Sequence, residues 1–149
     1  MKSVDEYAQQ YREIVQAEVS DEPVAAVGVL CRPNGLISAV APGGVIMRMI
    51  GKKKSGGLPM NVLVGVTPTR VLFYDFRPRM TSIKLKKLVR TLPRQGLQVT
   101  VSAGNLATRL TFATPDGESF ELDSNKSVGQ YDRINHGLIE ALGATPAVA

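Results

Sequence analysis

The 149-residue sequence is poor in the residues that carry catalysis and cross-linking. Cys31 is the only cysteine, which excludes an intramolecular disulfide and fits a reducing compartment. His136 is the only histidine, so no pair of ligands has the spacing of a zinc site. The stretch "GKKKSGG" does not match a phosphate-binding loop, because Gly57-Leu58 stands where a lysine followed by serine or threonine is required. We therefore expect a protein that is not an enzyme and that uses no cofactor or metal.

Long apolar runs are also missing. No stretch reaches the roughly 20 apolar residues that span a bilayer as a helix. Residues 1–20 contain four acidic residues and lack the apolar centre of a signal peptide. The sequence therefore predicts a cytoplasmic protein, at most peripheral at the inner face of the membrane.

Positive charge is in excess, and it is concentrated in one segment. The net charge is +5, but residues 48–94 hold twelve basic residues and one acidic residue, Asp75. This segment carries +11 and the rest of the chain −6. Such segregation predicts an anionic partner, either a membrane surface or an acidic protein surface, including one on a second copy of the chain.

Residues 1–22 are predicted to form an N-terminal helix. Ser3 and Glu6 match a capping box, apolar residues follow at helical spacing, and Pro23 ends the element. This helix either packs on its own domain or serves as a contact for a partner.

Residues 23–143 are predicted to form one domain of about seven short strands followed by a helix. Alternating apolar residues indicate the strands, and Asp116-Gly117 marks a hairpin turn. Ser127 and Gln130 match a second capping box before the last helix. An insertion covers about residues 36–59, and residues 144–149 are predicted to be a flexible tail. The fold class is therefore α+β, mainly β, and a small antiparallel barrel capped by the last helix would cover the strand edges.

The stretch "VGVTPTRVLFYDF", residues 64–76, resembles the bacterial pleckstrin-homology-like (PH-like) family, which is related to GRAM-type domains. Members carry a strand ending in Val-Thr, here Val66-Thr67, a short turn, and then Arg70 before an apolar strand. The order of elements over about residues 23–142 also agrees. The resemblance implies a PH-like barrel of about seven strands that binds or assembles without catalysis.

Two features of phosphoinositide-binding members are absent from this chain. The sequence has no tryptophan, and it has a lysine run in place of spaced basic residues in the first long loop. The resemblance therefore implies no phosphoinositide specificity. Arg70 is interpreted as structural, since a cation at the start of a strand can lie over backbone or pair with a carboxylate.

The predicted binding surface is a basic rim beside the aliphatic insertion. Aliphatic residues next to lysines are typical of a membrane contact, in which each basic residue contributes about 1 kcal/mol. The same aliphatics could instead cover one end of the barrel or form a homo-oligomer interface. Nucleic acid is a weaker alternative, because the hairpin aromatics Phe73, Tyr74 and Phe76 are needed for the core. The predicted rim consists of Arg48, Lys52, Lys53, Lys54, Arg77 and Arg79.

Overall fold

The structure, a computed structural model, describes residues 3–33, 56–79 and 82–147. Within these ranges the chain forms two helices and eight strands, and it is mainly β as predicted. In chain order they are α1 (Val4–Gln16), β1 (Ala26–Cys31), β2 (Asn61–Val66), β3 (Arg70–Pro78), β4 (Ile83–Pro93), β5 (Gln98–Ala103), β6 (Ala107–Ala113), β7 (Ser119–Asn125), α2 (Gly129–Ala141) and β8 (Thr145–Pro146).

The described strands form one sheet in the order β4-β3-β2-β1-β7-β6-β5-β8. All neighbours are antiparallel except β5 and β8, which run parallel. Strands β1 and β7 pair only at Cys31 and Asp123, so this narrow seam divides the sheet into β4-β3-β2-β1 and β7-β6-β5-β8.

Within the described ranges, the strands do not form the closed barrel that the sequence predicted, because the strand order ends at β4 and at β8. Side chains, and not backbone hydrogen bonds, connect β4 with β7 and the turn before it. Arg90 of β4 lies 4.7 Å from the centre of the Phe120 ring and forms an ion pair with Glu118. These contacts hold the two halves of the sheet together without completing the ladder.

Two hydrophobic clusters lie on opposite faces of the first four strands. The inner cluster lies between the two halves of the sheet and includes the packed rings of Phe73, Phe112 and Phe120. The outer cluster lies beneath α1, which buries Tyr11 and Val15. The alternation of β3 explains both, since Val71 and Phe73 enter the inner cluster and Leu72, Tyr74 and Phe76 the outer one. Of the two alternatives for the N-terminal helix, packing on its own domain is confirmed.

Helix α2 covers the seam through one buried amide. Asn135 accepts a hydrogen bond from the Val29 N–H at 2.7 Å and donates to the Val29 carbonyl oxygen at 2.6 Å. It also donates to Ser124 Oγ, which in turn donates to Asp132. Because the two groups of Val29 face away from β2, the side chain of Asn135 stands where a neighbouring strand would be. The buried backbone of β1 is thereby satisfied.

The two predicted capping boxes had different outcomes. Ser3 and Glu6 form the complete reciprocal box at the start of α1. The box at Ser127 was wrong, because α2 has Val128 as its N-cap and no side-chain cap. The Ser127 hydroxyl instead donates to Asn125 Oδ1 in the turn that leaves β7. A local side-chain bond in the preceding turn has therefore replaced the cap.

Other boundaries differ at the ends of elements. The predicted insertion at about 36–59 lies outside the described residues except for its last four, of which Leu58 is buried in the inner cluster. Within the predicted tail, Thr145–Pro146 pair with β5 as β8. The register between β3 and β4 shifts near residues 86–89, which marks a bulge.

Gly28 of β1 is required by the close approach of α2, and we expect Gly28→Ala to destabilise the fold. A Cβ at this position would lie 2.4 Å from Asn135 Oδ1 and 2.5 Å from Leu138 Cδ2. We expect a loss of about 1–3 kcal/mol in the free energy of unfolding, measured by urea denaturation. Gly137→Ala is the matched control, since nothing lies within 4 Å of its added Cβ and helix propensity predicts a gain of about 1 kcal/mol. Equal effects of the two variants would contradict this packing.

Asn135→Leu tests the seam directly. It keeps the branching of the side chain but removes its donor and acceptor, which leaves the buried N–H and C=O of Val29 unpaired, and we expect a loss of roughly 2–4 kcal/mol in the same measurement. Ser124→Ala removes the two hydrogen bonds of the Ser124 hydroxyl, to Asn135 and Asp132, and leaves both Val29 bonds intact, so its loss should be smaller, about 1–2 kcal/mol. A Leu variant as stable as the natural protein would show that the seam does not depend on this amide.

Candidate functional site

Several arginines in the described ranges serve the fold. Arg32 Nε donates to the Leu58 carbonyl oxygen at 2.8 Å. Arg94 donates to the carbonyl oxygens of Thr67 and Ala141, which joins the β2–β3 turn to the end of α2. Arg109 forms a two-pronged bond with its cross-strand partner Asp123. These cations already have partners within the molecule and are poor candidates for ligand contacts.

Arg70, the arginine of the resemblance, is also structural, and of the two roles considered for it, pairing with a carboxylate is the one that the structure shows. Its Nε lies 2.9 Å from Glu22 and its Nη2 lies 2.7 Å from Asp21. Glu22 also accepts hydrogen bonds from the hydroxyls of Thr67 and Thr69 and from the Thr69 N–H. The segment after α1 thus clasps the turn between β2 and β3, which explains the Thr-Pro-Thr-Arg stretch without a ligand.

We call this contact of Asp21 and Glu22 with Thr67, Thr69 and Arg70 the clasp. Hydrogen bonds within the clasp shift the pKa values of Glu22 and Arg70. Hydrogen bonds, chiefly from Thr69 and then from Arg70, lower the pKa of Glu22 below its ordinary value of 4.5. The hydrogen bond to Glu22 likewise raises the pKa of Arg70. Both shifts favour the charged forms, as expected for a carboxylate that accepts several donors.

The remaining cations of the basic segment meet at the β3–β4 hairpin. We call this group the basic hairpin. All its members are exposed, and none forms an ion pair within the part of the chain that the structure describes. Like charges that face each other across two strands destabilise the pair, so an anion placed here would relieve repulsion. The basic hairpin consists of Arg77, Arg79, Lys84, Lys86 and Lys87.

The register of the hairpin decides which of these side chains are neighbours. Arg77 pairs directly with Lys84, so the two cations lie side by side on one face. On the other face, Phe76 pairs with Leu85 and Pro78 with Ile83, next to the outer cluster. Period-two alternation therefore separates a cationic face from an apolar face in the same hairpin.

The structure brings together only part of the predicted rim. Arg77 and Arg79 are exposed at the end of the hairpin, as predicted for a surface. Arg48 and Lys52–Lys54 lie outside the described residues. Sequence reasoning counted Lys84, Lys86 and Lys87 in the basic segment but did not assign them to the rim. The alternation of lysines with Ile83 and Leu85 was the signal that could have placed them opposite Arg77.

The described residues supply little for covalent chemistry. Burial, assisted by Asp123, raises the pKa of the Cys31 thiol to about 11, so the thiolate is scarce at neutral pH. His136 is exposed on α2, 3.7 Å from Asp132. In the described ranges, no three histidine, cysteine or carboxylate side chains are grouped as metal ligands would be.

A shallow groove of about 230 Å³ lies between α1, the start of β1 and α2. Small residues such as Ala8, Ala26 and Gly137 line it, with Asp5 and Arg12 as its charged members. This volume is below the usual range of small-molecule sites. The basic hairpin therefore remains the better candidate site.

Comparison with protein-family models and with curated proteins finds no match to this sequence. Among the described elements, neither helix is long and apolar enough to cross a membrane.

The clasp predicts a specific pH dependence for Glu22→Gln. A carboxylate whose pKa is lowered by folding contributes stability that is present above its unfolded pKa and lost as the pH falls through its folded pKa. The natural protein should therefore exceed the variant in melting temperature at neutral pH, and the difference should shrink below about pH 4.5. Melting followed by circular dichroism between about pH 3 and pH 7 measures it. A difference that does not change over this range would contradict the assignment.

Proposed function

We propose that the protein is a non-catalytic interaction module whose basic hairpin binds an anionic partner. The observation that carries this proposal is the group of five exposed cations that have no ion pair in the described ranges, with Arg77 directly opposite Lys84. Elsewhere in those ranges, Arg70, Arg90 and Arg109 are each paired with carboxylates. At the hairpin, the one acidic residue, Asp75, lies opposite Lys86 and Lys87 but forms no ion pair with the five cations in the described ranges.

A cluster of this kind acts on association more than on folding. Surface charges of one sign raise the local concentration of an oppositely charged partner and speed its encounter. Screening acts over about 10 Å at 0.1 M salt, so binding through this surface should weaken as salt is added. The partner is an acidic protein surface or an anionic membrane in the cytoplasm.

We also propose that the fold is PH-like. The order β4-β3-β2-β1 followed by β7-β6-β5 supports this, because two antiparallel halves enclose the inner cluster and a C-terminal helix covers their seam. The side-chain contacts from Arg90 to Phe120 and Glu118 serve in place of backbone closure. A PH-like scaffold fits a role in binding or assembly.

Homo-oligomerisation is the second candidate, and one observation favours it. The exposed acids of α1, Asp5, Glu6 and Glu13, complement the basic hairpin of another copy. Nucleic acid is less favoured, since Phe73, Tyr74 and Phe76 are 0%, 4% and 7% exposed and cannot stack on bases.

A double charge reversal, R77E/K84E, tests the proposed function. We expect it to lose binding to polyglutamate and to phosphatidylserine vesicles that the natural protein shows at low salt, because it replaces the facing cations by facing acids. Fluorescence anisotropy measures binding to polyglutamate, and co-sedimentation measures binding to the vesicles.

The matched control is K126E/R133E, which has the same net charge as R77E/K84E. Its substitutions lie away from the basic hairpin, just after β7 and within α2. Its binding should stay close to that of the natural protein. The proposal fails if the two variants lose binding equally, or if the natural protein binds neither probe at low salt. Light scattering of the same samples checks the oligomeric alternative.

A further inference from the structure

Strand β4 is an edge of the sheet. It ends the strand order, and no strand pairs with its outer side in the described ranges. In an antiparallel strand, every second residue directs its N–H and C=O away from the paired neighbour. An edge of this kind is a template for one more strand, and proteins use such edges to bind extended peptides.

The open part of this edge is its first half, residues 83–87. Asp75 of β3 faces both Lys86 and Lys87, because Phe76 pairs with Leu85 and Tyr74 with Leu88. This bulge interrupts the regular ladder at that point. Farther along the strand, Arg90 is occupied by Glu118 and by the Phe120 ring. An added strand would therefore meet free backbone mainly over residues 83–87.

The two faces of this edge have different chemistry. Lys84 lies beside Arg77 on the cationic face. Ile83 and Leu85 lie on the apolar face together with Leu88, which is 46% exposed. An added strand places alternate side chains on these two faces. A matching segment would alternate acidic with aliphatic residues.

The charge of the edge also disfavours pairing with the same edge of a second copy of the chain. Pairing β4 with β4 would bring its lysines together, which is unfavourable, and lysines on edge strands commonly prevent such pairing. The same lysines favour a strand of opposite charge. A bilayer surface would meet the cations but would leave the backbone groups of the edge unpaired.

We propose that an extended segment of a partner protein, alternating acidic and aliphatic residues, adds to the first half of β4 as a further strand. This inference rests on the proposed function, since it names the class of anionic partner that the basic hairpin binds. Affinity comes from backbone hydrogen bonds to β4, and selectivity comes from carboxylates near Lys84 and Arg77 and aliphatics near Leu85 and Leu88.

The experiment uses the full chain and a fluorescein-labelled peptide of about eight residues that alternates Glu and Val, a length typical of a strand. Two further peptides carry N-methyl groups, one on every Glu and the other on every Val. Because only one set of N–H groups faces β4, one methylated peptide should bind at least about tenfold more weakly and the other should bind as the parent does. Binding is measured by anisotropy.

Two further readouts locate the contact. Hydrogen exchange should slow at amides of residues 83–87 when the parent peptide is bound. K84E/K86E should lose the peptide and K126E/R133E should retain it, with melting curves recorded to confirm that both variants are folded.

The outcomes separate the two proposals. If both methylated peptides bind as tightly as the parent, the contact is electrostatic only, so strand addition is overturned while the proposed function stands. If phosphatidylserine vesicles bind and the parent peptide does not, the partner is a lipid surface and strand addition is again overturned. If peptide, polyglutamate and vesicles all fail to bind at low salt, the proposed function fails as well.

Discussion

The structure depends on the pairing of one side-chain amide with one backbone unit, Asn135 with Val29. Strands β1 and β7 pair at a single position, so the backbone of β1 would otherwise be buried without partners at the seam. An amide carries a donor and an acceptor as a peptide group does, and Asn135 uses both. This contact also fixes the distance between α2 and β1, which is why Gly28 has no room for a Cβ. The helix that covers the two halves of the sheet is thus positioned by hydrogen-bond geometry as well as by apolar burial.

The division at the seam explains how the sheet can stay open and still enclose a core. Each half supplies one wall of the inner cluster, and the walls meet through side chains such as Phe73, Phe112 and Phe120. Because the ladder does not close, β4 keeps an outer edge that no described strand covers. The second apolar face of β3 then requires α1, which is anchored through the clasp of Glu22 and Asp21 on Arg70. The N-terminal helix is part of the domain for this reason.

The distribution of ion pairs separates cations that serve the fold from cations that are free to bind. Arg70 and Arg109 stabilise the fold, because each forms an ion pair with a carboxylate. At the β3–β4 hairpin, Arg77 faces Lys84, and no acidic side chain lies between the two in the described ranges. The repulsion between these cations does not stabilise the fold. This difference in neutralisation locates a surface on the molecule, which the net charge of the whole chain does not.

Interactions between residues that are neighbours in the chain could be predicted from the sequence. Contacts between distant segments could not be predicted from it. The capping box of Ser3 and Glu6, the Asp116-Gly117 turn and the alternation of β3 all involve neighbours in the chain, and the sequence determined them together with the mainly β class. The predicted cap at Ser127 was wrong because Asn125 competes for the same hydroxyl. The register that places Arg77 opposite Lys84 depends on the turn of a single hairpin and was fixed only in the folded backbone. Only the tertiary structure decided that the described strands leave the sheet open and that Asn135 pairs with Val29, because the latter contact joins residues 106 positions apart in the chain.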